Sequence, residues 1–276
     1  MAYRAYVLAD YHVHPDFSID AVGNIDEHCR AALNKGLAEI CFTTHYDNDP
    51  KIPAKVRTMR INGELHQLSD KTVKTYLDAV EKAHKKYFPR GLKVSAGIEV
   101  GWFPGCEKEL TALFSKHAFD YKLVGLHDIG ALSFCYHKQA EKCFSRYSPE
   151  EFADHYFSLI KDAVDSDLFD SVAHLDVYRR YGQGYYGEPI LNIYRGRIEP
   201  IFEAMNKSGM GFEINTSAFR HGLDQFYPTM DIVNLARKMG VRVAAIGSDA
   251  HRPDDVGGDL DAAAPVAHEL FPYCDE

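Results

Sequence analysis

The chain has 276 residues, of which 46% are hydrophobic and 26% charged, and its formal net charge at pH 7 is −9. This composition is typical of a globular protein with a sizeable core. The uncharged apolar stretches are far too short to span a bilayer, and the first ten residues lack the pattern of a secretory signal. The acidic balance, without any basic run, argues against a nucleic-acid partner. We therefore expect neither a membrane nor a nucleic acid as partner.

The cysteines and histidines add two expectations. The six cysteines are scattered and form no CxxC pair, which is typical of reduced thiols in a cytoplasmic protein. The oligomeric state leaves no signal in the sequence. Fourteen histidines are present, and most of the functional argument depends on where they lie.

The order of apolar segments predicts the fold class. Short segments rich in Val, Ile and aromatic residues alternate with helical patterns, as in parallel α/β proteins. No repeat or linker divides the chain, so we expect one domain over residues 1–276. Strands are predicted at residues 5–9, 39–43, 93–98, 123–126, 171–173, 211–214 and 242–246. Seven strand–helix repeats with one strand type favour a barrel over an open sheet.

Several predicted helices carry start signals. Asn24 with Glu27 and Ser148 with Glu151 match the capping box, in which each residue's side chain bonds to the other's backbone. Thr229 is expected to cap a helix that ends at residue 240, a glycine. The other helices are predicted at residues 71–87, 106–116 and 195–207.

Three long connections, residues 46–70, 128–147 and 178–194, each follow a strand and precede a helix. In a β/α barrel such connections lie at the carboxyl ends of the strands, where active sites are built. The third connection contains an aromatic, glycine-rich segment at residues 181–187. This segment is interpreted as either a lid over a substrate ring or an ordinary surface turn.

Metal-capable side chains follow nearly every predicted strand. His12 and His14 stand two residues apart on an extended segment, so both imidazoles point to the same side. Asp20 follows this pair, and the ends of later strands supply His45, Glu99, His127, His174, Asp249 and His251. A core histidine or an incidental carboxylate explains one such residue, but not nine. Buried imidazoles and carboxylates in such numbers are costly unless cations satisfy them.

The ligand types and their number indicate which metals to expect. Mixed imidazole and carboxylate ligands suit zinc, iron or manganese. Nine ligands that include one bridging carboxylate can serve about three divalent ions in groups of three or four. The local positive charge of the ions would let an acidic chain hold a phosphate dianion. The nine candidates therefore fit up to three transition-metal ions, and such a site could hold a phosphate.

These motifs resemble, in order and over essentially the whole chain, those of the polymerase and histidinol phosphatase (PHP) superfamily. The resemblance implies a distorted (β/α)7 barrel with a trinuclear centre at its carboxyl face. It also divides the ligands among the ions: His12, His14, Glu99 and Asp249 for the first, Glu99, His127 and His174 for the second, and Asp20, His45 and His251 for the third. Glu99 would thus bridge two ions.

Within the superfamily, residues 97–101, 174–182 and 213–220 resemble the histidinol-phosphate phosphatases. This resemblance implies hydrolysis of L-histidinol phosphate, a step of histidine biosynthesis, by attack of a metal-bridging hydroxide. One departure is Gly-Leu-His at residues 125–127, where the family pattern predicts Ser-Val-His. This departure leaves the predicted metal role of His127 intact. It affects only how the loop around His127 would contact the substrate.

Further residues are candidates for substrate binding and proton transfer. Arg180 and Arg220 follow the fifth and sixth strands, and a guanidinium suits phosphate because its planar fork donates two parallel hydrogen bonds. We expect both to bind phosphate, the alternative being ordinary surface arginines. His221 is a candidate substrate contact or proton donor. Asp249, His251 or a metal-bound water could protonate the leaving oxygen.

The ammonium group of histidinol phosphate also requires a partner. Asp47, Asp128 and Asp176 each follow a strand-end ligand closely, although Asp176 could instead brace His174 or Arg180. The closest alternative function is a related phosphatase that acts on phosphotyrosine or a nucleotide. An amidohydrolase would use a bridging lysine where this chain has Glu99, and a non-catalytic scaffold would have lost ligands.

Overall fold

The computed structural model describes residues 9–270, and at its centre is a parallel sheet whose strands are neighbours in chain order. Its seven sequential strands are β1 (Ala9–Val13), β2 (Glu39–Phe42), β3 (Lys93–Gly101), β4 (Tyr121–Gly125), β5 (Ser171–Val172), β6 (Gly211–Asn215) and β7 (Val243–Gly247). A further short strand, His45–Tyr46, extends the line of β2 and pairs with the end of β3. Sequential order with parallel pairing is the pattern of a β/α barrel.

The barrel closes imperfectly. β1 and β7 meet through a single parallel bridge between Val13 and Ala250. The register also shifts between Asp10 and Val13 where β1 pairs with β2, and between β6 and β7. The predicted distorted seven-stranded barrel is therefore confirmed. Six predicted strands overlap β2–β7, whereas the predicted strand at 5–9 lies outside the described residues except for Ala9.

Helices separate the strands. They are α1 (Ile25–Asn34), α2 (Asp70–Tyr87), α3 (Glu107–Lys116), α4 (His137–Phe144), α5 (Pro149–Asp165), α6 (Arg179–Tyr186), α7 (Glu199–Ser208), α8 (Ser217–Arg220), α9 (Met230–Met239) and α10 (Leu260–Leu270). Single 3-10 turns occupy Phe88–Arg90, Glu188–Asn192 and Pro253–Asp255. Among residues 9–270, no helix is both long and apolar enough to cross a membrane.

Two of the predicted caps are confirmed and one is wrong. Both capping boxes form, at Asn24 before α1 and at Ser148 before α5. Thr229 occupies the N-cap position of α9, but its side chain makes no capping bond. Its backbone N–H donates to the buried carboxylate of Asp176 at 2.9 Å. Helix α7 begins four residues later than predicted. Pro200 fits the first turn of α7, where no backbone N–H is needed. In a helix that began at residue 195, position 200 would need a backbone N–H, which proline lacks.

The three long connections contain secondary structure of their own. The first holds a hairpin of Thr58–Ile61 with Glu64–Gln67, and the second holds a small hairpin followed by α4. The segment at 181–187 is not a simple turn, because most of it belongs to α6. Its interpretation as a lid stays a prediction. The hydroxyl of Tyr186 donates to the carbonyls of Phe144 and Tyr147 at 2.8 and 2.9 Å, which fixes this helix against α4.

The buried apolar side chains form two main clusters. The larger one lies between the barrel and helices α3–α7 and α9, where it contains many aromatic residues. The second joins β1–β3 to α1 and α2. These clusters fix the strands as a rigid frame, and the side chains at the carboxyl ends of the strands take their positions from it.

We expect Ser148→Ala to lower the free energy of unfolding by about 1 kcal/mol, because an N-cap side chain satisfies a backbone N–H at the start of the helix. In α5 that bond runs from the Glu151 N–H to the Ser148 hydroxyl, at 3.2 Å. Chemical denaturation with a matched Ser115→Ala control in the last turn of α3 measures the effect. Equal losses in the two variants would contradict the capping role.

Candidate metal centre

The nine predicted ligands meet at the carboxyl face of the barrel. Glu99, on β3, lies at their centre and is completely buried. His45 stands directly opposite Glu99 in the register of their two strands. His12 is on β1, and the other ligands lie in loops, most of them close after a strand end. The barrel therefore brings together residues as far apart in sequence as His12 and His251.

A first group of ligands surrounds one oxygen of Glu99. The Nε2 atoms of His12 and His14 each lie 3.4 Å from Glu99 Oε2. The same two nitrogens lie 3.6 and 3.4 Å from Oδ1 of Asp249. Two imidazole nitrogens and two carboxylate oxygens thus face a common space.

A second group surrounds the other oxygen of Glu99. The Nε2 atoms of His127 and His174 lie 3.3 and 3.0 Å from Oε1 of Glu99. These two nitrogens are 3.4 Å apart. Because one oxygen of Glu99 faces each group, its carboxylate is placed to bridge them.

A third group is more exposed to solvent. The Nε2 atoms of His45 and His251 lie 3.6 and 3.4 Å from Oδ2 of Asp20. The other ring nitrogen of His45 lies 2.9 Å from Oε2 of Glu99, so this ring connects the third group to the first. The ring of His14 stacks on both His45 and His251 with centroids 4.2 Å apart.

Unpaired polar atoms at the centre show that the cluster fits cations. His12 Nε2, His14 Nε2, His45 Nδ1 and Glu99 Oε2 are buried and have no hydrogen-bond partner among the described residues. An unsatisfied buried polar atom costs about 1–3 kcal/mol. Here these atoms face one another and form several sets within mutual ligating distance. Divalent ions of the zinc type, which accept imidazole and carboxylate ligands, would satisfy them.

The protonation states of the cluster also bear on metal binding. Burial favours the neutral form of Glu99, but His12, His127 and His45 hold its pKa well below the ordinary value. The pKa of Asp249 is likewise held low, against burial, chiefly by His12. Burial and the neighbouring imidazoles of His45 and His251 lower the pKa of His14. Ionised carboxylates are the form that binds metal. Glu213 raises the pKa of His12 and Asp20 raises that of His45, both against burial, so these imidazoles would release a proton when a metal ion binds.

The sequence matches a known domain family over most of its length. Residues 10–217 match the model of the PHP domain. The chain belongs to the PHP domain family.

Individual relatives and structures extend the comparison. A probable histidinol-phosphatase of Deinococcus radiodurans is 28% identical over 91% of this chain and 88% of its own length. A probable phosphatase of Caldanaerobacter subterraneus is 29% identical over 91% of this chain and 79% of its own length. The crystal structure of a Lactococcus lactis histidinol phosphate phosphatase, with zinc, L-histidinol and phosphate, superposes with a TM-score of 0.75. It is 22% identical and covers 96% of this chain and 94% of its own. That superposition confirms the fold of the PHP domain.

Glu213, on β6, supports the ligands of this PHP domain from behind. One of its oxygens lies 2.8 Å from Nδ1 of His12. The other accepts the backbone N–H of His174 and the amide of Asn215, both at 3.0 Å. A carboxylate on the outer nitrogen of a ligating histidine fixes the ring and directs its other nitrogen at the metal. Glu213 was not predictable as a supporting residue from the sequence, because an acid on a strand gives no sign of a histidine 201 residues away.

Asp10 and Arg220 hold the backbone that carries Asp249. The buried carboxylate of Asp10 accepts the N–H groups of Ser248 and Gly257 at 2.9 and 2.8 Å. The guanidinium of Arg220 donates to the carbonyls of Ser248 and Asp249 at 2.6 and 3.0 Å. Asp249 has a φ of +52°, a conformation that needs support from its surroundings. The structure thus places Arg220, predicted to bind phosphate, on the backbone of a ligand.

Arg180 and His221 lie on the same side of the PHP domain. Arg180 is half-buried, and its guanidinium makes no hydrogen bond or ion pair with residues 9–270; it lies over the ring of Tyr181 at 5.1 Å. Burial and the charge of Arg180 lower the pKa of His221 to about 4, so its imidazole is neutral at pH 7. The Nδ1 atom of His221 lies 3.3 Å from the hydroxyl of Tyr227.

The structure separates the three aspartates considered for an ammonium group. Asp47 and Asp128 line a small cavity beside His127, together with Asp49, Ile52, Gly101 and Trp102. Burial and the charge of Asp47 raise the pKa of Asp128 to about 6. Asp176 is completely buried and pairs with Arg179 at 2.8 Å. It therefore faces neither the cavity nor Arg180.

We expect Glu213→Gln to weaken metal binding by about 10–100-fold, the usual effect of removing a carboxylate that orients a ligating histidine. The amide cannot accept from both His12 and His174 as the carboxylate does. Competition with a chromophoric chelator measures the affinity. Glu203→Gln, on an exposed position of α7, is the matched control. Unchanged metal affinity in folded Glu213→Gln would show that this carboxylate does not orient the ligands.

Proposed function

We propose that the chain is a metal-dependent histidinol-phosphatase, which hydrolyses L-histidinol phosphate to L-histidinol and phosphate. The observation that carries the proposal is the complete set of nine ligands, gathered in three groups around Glu99. The chain also aligns over 91% of its length with a relative named probable histidinol-phosphatase. The superposed neighbour was crystallised with zinc, L-histidinol and phosphate, which supports the same substrate.

The centre would hold about three divalent ions, in line with its ligand types. The proposed assignments are those that the family resemblance implies, and the short distances within each group support them: His12, His14, Glu99 and Asp249; Glu99, His127 and His174; and Asp20, His45 and His251. Zinc is supported by the neighbouring structure, and iron or manganese would suit the same donors. Bound divalent ions lower the pKa of water and polarise phosphoryl oxygens.

The protein's own groups would bind and orient the ester. Arg180 has no carboxylate partner among the described residues, so its fork is available to the non-bridging phosphate oxygens. His221 is neutral, and if the Tyr227 hydroxyl donates to Nδ1, the N–H on Nε2 can bind the same phosphate. Arg220 would act mainly by holding the backbone of Asp249 in place. Asp249 was also considered for protonating the leaving oxygen, but its pKa is held low and it carries no proton at pH 7. His251, whose pKa Asp20 raises against burial, and a metal-bound water stay our candidates.

The acidic cavity beside His127 has a volume of only about 10 Å³, so its carboxylates would bind the ammonium of the substrate at the cavity mouth. Asp47 Oδ1 lies 3.8 Å from Nδ1 of His127, so the acidic cavity directly adjoins the second ligand group. An ammonium in a desolvated site requires a carboxylate partner, and leaving it unpaired costs about 1–3 kcal/mol or more. Asp47 and Asp128 supply that partner, whereas the buried Asp176 is committed to Arg179.

The alternative is a related phosphatase for phosphotyrosine or a nucleotide. A relative of comparable identity is named only a probable phosphatase. The acidic cavity favours a substrate with a positive charge near the phosphate over these anionic or neutral leaving groups. The biosynthetic role, the cytoplasmic location, the single domain over 1–276 and the absence of a nucleic-acid partner stay predictions.

We expect kcat/KM for histidinol phosphate to exceed that for simple alkyl phosphates by at least ~10-fold, equivalent to about 1.4 kcal/mol of transition-state binding. Asp47→Asn and Asp128→Asn should reduce this preference, because each removes a charge from the cavity. Arg180→Gln should instead lower kcat/KM for all phosphate esters alike, since every ester carries the phosphate. Steady-state kinetics on a panel of esters, including phosphotyrosine and nucleotides, measures these effects. Equal efficiency towards histidinol phosphate and an aryl phosphate would support the alternative function.

A further inference from the structure

Arg60 binds the loop that carries one metal ligand. It lies on the hairpin between β2 and α2, and its Nη1 donates to the carbonyls of Asp16, Ser18 and Ala21 at 3.0, 3.1 and 3.0 Å. Its Nη2 donates to the carbonyl of Ile19 at 2.5 Å. One guanidinium therefore holds four carbonyls within a stretch of six residues.

The chemistry of arginine fits this position. Tight turns in the loop, such as the bond from the Ser18 N–H to the Pro15 carbonyl, direct several carbonyls towards one point. A guanidinium offers five N–H donors in a rigid plane and no acceptor, so it can satisfy such a group of oxygens. Hydrogen bonds from a charged donor are also about twice as strong as neutral ones.

The hairpin itself is anchored to the core. Met59, next to Arg60, is completely buried in the second hydrophobic cluster. The backbone N–H of Arg60 also donates to the carbonyl of Phe17 at 2.9 Å. The guanidinium is thus attached to a fixed element, and its hydrogen bonds restrain the loop against that element.

Asp20 lies on this loop between two other attachments: the Ser18 hydroxyl accepts the His45 N–H at 3.0 Å, and the Val22 N–H donates to the His251 carbonyl at 2.9 Å. The Asp20 side chain itself has little support. It is 54% exposed, whereas that of Glu99 is 1% exposed. Among the described residues, the Asp20 carboxylate contacts only the imidazoles of His45 and His251. The position of Asp20 therefore depends on the conformation of the loop backbone, which Arg60 holds.

We propose that Arg60 is a positioning residue for the third metal ion, because it fixes the loop that presents Asp20 to His45 and His251. This inference rests on the proposed three-ion centre. Removal of the guanidinium frees the loop to sample other conformations, and the third ion loses affinity. The first two groups keep theirs, since their shared ligand Glu99 lies on a barrel strand.

Metal content is the direct test. Arg60→Gln, Arg60→Lys and a matched Arg57→Gln control are dialysed against buffered zinc and analysed by elemental mass spectrometry. Arg57 lies on the same connection, and its guanidinium makes no hydrogen bond or ion pair with the described residues. We expect the wild type and the control to hold about three ions. In Arg60→Gln the third ion should bind about 10–100-fold more weakly, and Arg60→Lys should lie between the two.

Two further measurements separate positioning from a general loss of stability. In the metal-free protein, Arg60→Gln should speed hydrogen exchange of the 16–22 amides by at least ~10-fold and leave those of β1 and β2 unchanged, because only the loop opens. Combining Arg60→Gln with Asp20→Asn should weaken the third ion no further than Asp20→Asn alone, because both changes act through the same ligand.

The outcomes distinguish this inference from the proposed function. Three tightly held ions in Arg60→Gln, or equal loss of all three, would overturn the role of Arg60 and leave the phosphatase proposal standing. Additive effects in the double variant would also overturn it. A wild-type chain that never binds a third ion would refute both the three-ion centre and the role of Arg60. Turnover of histidinol phosphate by the wild type would show separately whether the proposed reaction survives that result.

Discussion

The structure depends on one buried negative charge, the carboxylate of Glu99. It is completely buried at the end of β3, and imidazole nitrogens of His12, His14, His45, His127 and His174 lie 2.9–3.4 Å from it. A buried carboxylate is costly unless positive charge compensates it. Without metal, the imidazoles of His12, His127 and His45 supply that charge and hold the pKa of Glu99 low; divalent cations would supply it in their place. The barrel strands make the arrangement possible because their carboxyl ends converge on one face.

The surrounding hydrogen bonds keep this centre in place. Glu213 orients His12 and holds the backbone of His174, while Asp10 and Arg220 secure the segment that carries Asp249. The supporting groups are largely buried and charged, so they resist reorientation. Such rigidity matters for catalysis, because ligands held in advance do not reorganise when substrate binds. The least supported ligand is Asp20, which is also the most exposed.

The sequence predicted the barrel and the gathering of the ligands because both follow from local patterns. A strand end followed by a histidine or acid is visible in the sequence, and parallel topology brings such ends together. The supporting bonds were not predictable in this way, since Asp10 with Ser248 and Arg60 with Ile19 depend on tertiary packing. The surface-turn interpretation of 181–187 was wrong because glycines are typical of turns, whereas contacts of Tyr186 with Phe144 hold the segment in a helix. The bonds from Arg220 to the carbonyls of Ser248 and Asp249 were not predictable either, and its predicted contact with phosphate stays a prediction.

The bridging position of Glu99 is tested most directly by counting the metal ions retained by Glu99→Gln and by Asp20→Asn after identical dialysis. Glutamine keeps the size of Glu99 but removes the charge that faces two ligand groups. The account predicts that Glu99→Gln retains at most about one ion, because Glu99 is a ligand in two of the three groups. Asp20→Asn should retain about two ions, because Asp20 belongs to one group only. Equal retention in the two variants, or about three ions in Glu99→Gln, would contradict it.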